Sequence, residues 1–229
     1  MKNKILLISP HTDDELFGAG GTLLEFKKKG FQIKLAVMSC SERFLFHYNK
    51  TITQEQQWDE FQKCAKRLST DEPVYFDTNN VRLEEIPMYR IIRFLDQLLL
   101  SYNPETILIP EPSYHQEHQM VYNACIAAVR PTNSNKNIKN VISYEISTST
   151  WSDPNRSFKP NMYVDITNTI KDKINIFKQC YKLQYTEKAR VTLSKKGILA
   201  HAQYRGTESG LQYAESFCLH RAILFNGEI

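Results

Sequence analysis

No uncharged apolar stretch of this 229-residue sequence approaches the roughly 20 residues that a membrane-spanning helix requires. The first apolar run, Ile5-Leu6-Leu7-Ile8 behind Lys2 and Lys4, is too short for a signal-peptide core. Cysteine is sparse and has no pairing pattern: Cys40, Cys64, Cys125, Cys180 and Cys218 are odd in number, widely spaced and never C-x-x-C. This argues against a zinc ribbon or a disulfide framework, so reduced thiols in a cytoplasmic protein are expected. Charge bias is weak as well. There are 29 basic and 25 acidic residues, and the densest basic runs, Lys27-Lys28-Lys29 and Lys195-Lys196, are short. No nucleic-acid partner is expected, because such binding calls for basic residues clustered on one face. Repeats, low-complexity tracts and linkers are absent. A dinucleotide-binding G-x-G-x-x-G is also missing from the turn after the first apolar run, which disfavours a nucleotide-dependent oxidoreductase. The nearby Gly18-Ala19-Gly20-Gly21 is assigned instead to close approach of a helix to a sheet, or of backbone to a ligand.

What is present is an ordinary globular composition, 41% apolar and 24% charged, on a chain long enough for a full core. One domain over 1–229 is the simplest organisation. Short β-type runs at 5–8, 31–38, 73–76, 106–109, 140–146 and 162–166 alternate with helical patterns. Those patterns open near Asp14, Gln54, Ile86, His118 and Thr167, the last expected to cap a helix running through Ile170, Ile174, Phe177, Tyr181 and Leu183. The fourth pattern is expected to bury Val121, Ala124, Ile126 and Val129. Residues 44–53, after a strand end at Ser39-Cys40-Ser41-Glu42-Arg43, read as a polar loop, Ser147–Lys159 (with Trp151, Pro154 and Arg156) as a substrate-facing flap, and everything beyond Ile166 as helix and loop. The fold class is therefore α/β and Rossmann-like, with a mostly parallel sheet flanked by helices and its site at the carboxyl ends of the strands.

Two strand ends carry the chemistry. The first run ends in Pro10-His11-Thr12-Asp13-Asp14-Glu15, and the fourth ends in Pro110-Glu111-Pro112 followed by His115-Gln116-Glu117-His118. His11 and Asp14 are a nitrogen and an oxygen donor of the kind zinc takes, and one of the two later histidines would complete a three-ligand site with an open position. That leaves Asp13 and the other histidine for proton and oxyanion work. Each cluster alone has a plainer explanation. Carboxylates at a helix N-terminus are often only caps, and H-x-x-H pairs are commonly surface residues. Two such clusters at two strand ends favour function, because a core has no use for that much titratable density. His47, His201 and His220 have no comparable context.

These residues carry a family resemblance. Pro10-His11-Thr12-Asp13-Asp14-Glu15 resembles the P-H-P-D-D-E signature of the PIG-L/LmbE-like zinc deacetylases, and His115-Gln116-Glu117-His118 with Val121 resembles their H-P-D-H-x-x-V. Looser likenesses follow: Val164-Asp165-Ile166 with Lys173 is similar to V-D-I-S…K, Tyr181-Lys182-Leu183-Gln184 to Y-x-S-Q, and Arg205-Gly206 with Tyr213-Ala214-Glu215-Ser216-Phe217 to R-G…Y-A-E-x-F. The resemblance implies metal ligands at His11, Asp14 and His118, a general base at Asp13, and a protonated, oxyanion-stabilising histidine at His115. Glu15 would orient a ligand from behind, and Glu117 would bond a histidine or favour its cationic form.

The implied reaction is removal of an N-acetyl group from a glucosamine-containing substrate, such as a thiol-cofactor precursor, a glycolipid precursor or an antibiotic intermediate. Zinc is the implied metal, although iron(II) or another divalent ion suits the same ligands. Thr12 and Gln116 stand where the family usually has proline, and Glu117 where it has aspartate. Gln57 occupies a helix position where the family often carries arginine, so Arg43, Arg82 and Arg205 are candidate replacements for substrate contact. The expected partner is a small N-acyl amino sugar or conjugate, and self-association into a homo-oligomer is compatible with the sequence. The alternatives are a metal-dependent amidase for a non-sugar N-acyl substrate and a non-catalytic sugar-binding protein with a retained metal site.

Overall fold

A computed structural model describes residues 3–45, 49–78, 82–146, 158–182 and 191–223. Strands β1 (Lys4–His11), β2 (Gln32–Ser39), β5 (Val74–Tyr75), β6 (Thr106–Pro110), β7 (Asn140–Tyr144), β8 (Met162–Asp165) and β9 (Ala214–Arg221) form one seven-stranded sheet in the order β5-β2-β1-β6-β7-β9-β8. The first five of these in spatial order run parallel, while β9 pairs antiparallel with both β7 and β8. Helices α1 (Asp14–Lys28), α2 (Gln54–Arg67), α3 (Met88–Tyr102), α4 (Gln116–Ala128), α5 (Ile170–Cys180) and α6 (Lys195–Ser209) flank it. The expected α/β architecture is therefore what the chain adopts.

The alternating side chains of the parallel strands divide the core in two. Ile5, Leu7, Ile33, Leu35, Val37 and Leu108 face α1, α2, α5 and α6, and Leu6, Ile8, Ala36, Met38, Ile107 and Ile109 face α3 and α4. Ile5 to Ile8 are each at most 1% exposed, and burying a side chain of this size stabilises by about 1.5–3 kcal/mol. Pro10 does not end β1. It lies past the last β1–β6 pair, Leu7 with Leu108, where its missing N–H takes nothing from that ladder, and the strand runs on to pair His11 with Ser39 of β2.

The sequence reading missed two elements. The polar loop after β2 holds a hairpin, β3 (Arg43–Leu45) against β4 (Lys50–Ile52). The C-terminal stretch read as helix and loop contains β9, whose Glu215 and Ser216 are buried, so no clean alternation of polar and apolar residues marks it. Two smaller expectations also change. Thr167 does not cap α5; its Oγ1 accepts the Tyr213 N–H at 3.3 Å, and the helix starts after Thr169, whose hydroxyl donates to the Gly21 carbonyl at 3.1 Å. Ile126 is 38% exposed on the outer face of α4. Residues 147–157 of the expected flap, and Leu183, lie outside the described residues.

The glycines of α1 serve close packing. A Cβ on Gly18 would fall 2.3 Å from the Tyr144 ring, and one on Gly21 would fall 2.7 Å from Ile166. The helix thus lies too near β7 and the start of the α5 segment for any side chain at these positions. Its N-terminus, which carries Asp13, Asp14 and Glu15, is held at the tip of β1 by this packing.

Candidate active site

β1 and β6 are neighbours, and the chain leaves them for opposite sides of the sheet, so the crevice between their carboxyl ends is a topological switch point. His11 ends β1, Asp13 and Asp14 begin α1, His115 stands immediately before α4, and His118 lies in its first turn. The two sequence clusters therefore meet.

His11 Nδ1 lies 3.0 Å from His118 Nε2, and each of these nitrogens is 3.3 Å from Asp14 Oδ2. His11, Asp14 and His118 are 8%, 6% and 3% exposed. Four ligands at zinc's usual 2.0–2.2 Å stand roughly 3.4 Å apart in a tetrahedron, so this triangle has the edge length of a metal coordination sphere. The His115 ring lies 4.8 Å from both the His11 and the His118 rings, and the nitrogens of all three histidines fall within 4.8 Å of one another. The donor set fits a divalent cation. Behind it, Glu117 Oε2 sits 2.5 Å from His11 Nε2, while Glu117 Oε1 accepts the Leu83 N–H at 3.1 Å. A carboxylate on the far nitrogen of a ligand histidine fixes its tautomer and raises its basicity.

The electrostatics show how strongly the cluster favours positive charge. Burial alone would drive His11 down, but hydrogen bonds and attraction from Asp14 and Glu117 carry it up to about 9. Asp14 is held far below the usual carboxylate range, because His118 and His11 outweigh the cost of its burial. Glu117 falls to about 2, its burial offset chiefly by the hydrogen bond to His11. His115 moves the other way, to about 4, through burial and repulsion from His11 and His118. That direction favours the neutral ring, and its buried Nδ1 has no hydrogen-bond partner among the described residues.

Asp13 has φ 104° and ψ −29°, a left-handed backbone that side chains rarely adopt. Burial first, then repulsion from Asp14, raises its carboxyl well above the ordinary value, a direction that suits a proton carrier. Among the described residues, Glu15 bonds the backbone beside the candidate ligand Asp14 and not a ligand side chain. Its Oε2 accepts the Asp13 N–H at 3.0 Å and lies 3.4 Å from Ser9 Oγ, and its Oε1 accepts the Tyr181 hydroxyl at 2.5 Å.

A cleft of about 420 Å³ opens over the cluster, with His11, His115, Glu117, Gln57, Arg43 and Arg82 in its walls. Arg43 comes from the hairpin and has a buried Nε without a hydrogen-bond partner among the described residues. Arg82 is exposed and lies 3.6 Å from Glu84. Arg205 is not in these walls. It is 7% exposed and spends its donors on Glu145, at 2.8 and 2.6 Å, and on Glu208, at 2.7 Å, so the structure does not bring it to the cleft with Arg43 and Arg82. Gln57 is buried and donates to the Cys40 and Ser41 carbonyls at 3.2 and 2.8 Å, which anchors the loop after β2 to α2.

The loosely matching tail motifs turn out to be scaffolding. Glu215 accepts the N–H groups of Gly21 and Thr22 at 2.9 and 2.7 Å, and Lys173 donates to the Phe17 carbonyl at 2.6 Å. This ion pair grips the backbone of α1 about one to two turns below Asp14. Spacing alone could not reveal it, since the two residues are 42 positions apart.

Comparison with known proteins is consistent with this geometry. Residues 6–129 match the family model "PIG-L: GlcNAc-PI de-N-acetylase". Among solved structures, N,N'-diacetylchitobiose deacetylase from Pyrococcus horikoshii is 20% identical with a TM-score of 0.76, over 96% of this chain and 84% of that one. A pseudoaglycone deacetylase of an antimicrobial compound is 14% identical with a TM-score of 0.75, over 98% of this chain and 100% of that one. A 4-carboxy-2-hydroxymuconate hydratase from a Pseudomonas is 16% identical, also at 0.75, over the whole of both chains. One fold thus carries deacetylases and a hydratase, so the reaction has to be argued from the side chains.

Proposed function

Because this chain belongs to the PIG-L family of GlcNAc-PI de-N-acetylases, we propose that it is a zinc-dependent hydrolase that removes the N-acetyl group from an N-acetylglucosamine-type sugar or conjugate. The observation that carries the reading is the buried triangle of His11 Nδ1, His118 Nε2 and Asp14 Oδ2, of which His11 lines the cleft. These three residues would hold the metal. When bound, it supplies Lewis acidity, polarising the amide carbonyl and lowering the pKa of water at the site toward about 7.

The remaining groups do the proton and positioning work. Asp13 takes a proton from the attacking water as its oxygen bonds to the carbonyl carbon, and returns that proton to nitrogen as the C–N bond breaks. The products are acetate and the free amine. His115, whose buried Nδ1 is unpartnered among the described residues, supplies a donor where the carbonyl oxygen becomes an oxyanion. Glu117 fixes the His11 ring, and Arg43 and Arg82 offer donors to the sugar or its substituent. With five free cysteines and no helix among the described residues able to cross a membrane, a cytoplasmic, single-domain enzyme is the simplest setting.

The test is metal content together with acetate or amine release across a panel of N-acetyl amino sugars. Stoichiometric zinc and turnover of at least one sugar are expected. A metal-replete protein that cleaves only non-sugar N-acyl amides, or nothing on the panel, overturns the sugar assignment.

A further inference from the structure

We propose that Tyr181 is a positioning residue for Asp13, acting through Glu15; the inference rests on the role given to Asp13 above. Asp13 is a non-glycine residue at φ 104°, and a backbone of this kind costs on the order of 1–3 kcal/mol and persists only where its surroundings impose it. The imposed contacts are visible. The Asp13 carbonyl accepts the Phe17 N–H at 2.8 Å and so starts the ladder of α1, and the Asp13 N–H donates to Glu15 Oε2 at 3.0 Å. The second contact is only as firm as the Glu15 carboxylate.

That carboxylate is fully buried, and a single anchored oxygen would leave it free to rotate about its last side-chain bond. The Tyr181 hydroxyl removes this freedom by donating to Oε1 at 2.5 Å, with the Cys64 thiol a further hydrogen-bond partner of the same carboxylate. Tyr181 is itself 0% exposed, sits at the C-terminal cap of α5 and packs on Phe177 with ring centroids 5.7 Å apart. It is not a wall of the cleft. The path from α5 to the catalytic carboxylate is therefore a relay of two hydrogen bonds, from Tyr181 to Glu15 and from Glu15 to the Asp13 backbone. Without the hydroxyl, a buried carboxylate oxygen loses its donor and Glu15 turns to find another. Asp13 then relaxes toward negative φ and its side chain swings away from the reacting atoms. A displacement of about 1 Å at such a group is enough to cost up to 10²-fold in rate.

The experiment is Tyr181→Phe in the metal-loaded protein, with Glu15→Gln as second variant, because its amide oxygen can accept from only one of the two donors. We expect kcat to fall roughly 10-fold or more in both, with KM and metal content unchanged. Tyr181→Phe should cost nothing further in an Asp13→Asn background, since coupled residues are non-additive. A crystal structure of Tyr181→Phe should show residue 13 out of the left-handed region. Unchanged kcat in either folded variant, full additivity with Asp13→Asn, or residue 13 still at positive φ overturns the proposal. Should the unmodified protein release no acetate from any substrate, the deacetylase reading fails, while the conformation of residue 13 still decides the positioning role. As a check on the strain, Asp13→Gly should melt higher than the parent, because glycine accepts this φ and repulsion with Asp14 and Glu15 is lost.

Discussion

The Lys173 ammonium and the Glu215 carboxylate stand 2.7 Å apart, both 5% exposed at the side chain, and close on the same stretch of α1 backbone. Lys173 takes the Phe17 carbonyl, and Glu215 takes the Gly21 and Thr22 N–H groups. The pair ties β9 and α5 to the helix that begins with Asp14.

Removing one member of this pair leaves the other charged and buried. Lys173→Met is expected to lower unfolding stability by about 3–5 kcal/mol, and Lys173→Met with Glu215→Gln by clearly less than the sum of the single changes. Denaturant melts of the four proteins measure this. Additive losses would mean that the two residues act separately on α1.

Glu145 gives the fold an acid-sensitive buttress. Burial would raise its carboxyl, but hydrogen bonds from His201 and Arg205 hold it at about 2, against an ordinary 4.5. A depressed carboxylate contributes stability that is full above its unfolded value and lost as pH falls through the folded one, so the window runs from about pH 4.5 down to 2. The difference corresponds to roughly 3 kcal/mol. Urea midpoints measured across that window should fall more steeply for the parent than for Glu145→Gln.

Glu117 holds the outer nitrogen of His11. Glu117→Gln should keep the fold and weaken metal affinity by about 10–100-fold, the usual effect of removing such a partner. Competition with a chelator reads this directly, and an unchanged affinity would detach Glu117 from the site.

His115→Ala tests the division of labour between the two histidines at the start of α4. It should retain metal and lose about 10²–10³ in kcat, as oxyanion donors do, whereas His118→Ala should lose the metal itself. Metal loss in His115→Ala alone would exchange the two roles.

The sequence was most legible where one residue type suffices for the inference. Parallel strands buried on both faces read as continuous apolar runs, so β1, β2 and β6 were visible, and the two polar clusters could be assigned to strand ends. It was least legible where polar residues are buried by partners far along the chain. β9 was hidden because Glu215 and Ser216 point into the core, where Lys173 and Glu145 satisfy them. Arg205 looked available for substrate for the same reason: nothing near it in sequence announces Glu145, 60 residues away.

By itself, then, the sequence determined the α/β alternation, the two halves of the site and the residue types able to hold a cation, because hydrophobic period and ligand chemistry are local properties. Only the tertiary structure decided that His11, Asp14 and His118 converge within 3.3 Å, that Glu15 accepts the Asp13 N–H, and that Tyr181 stands behind them both. The first and the last of those are relations between chain segments more than 100 residues apart, set by strand order and helix packing and by no pattern in the intervening residues.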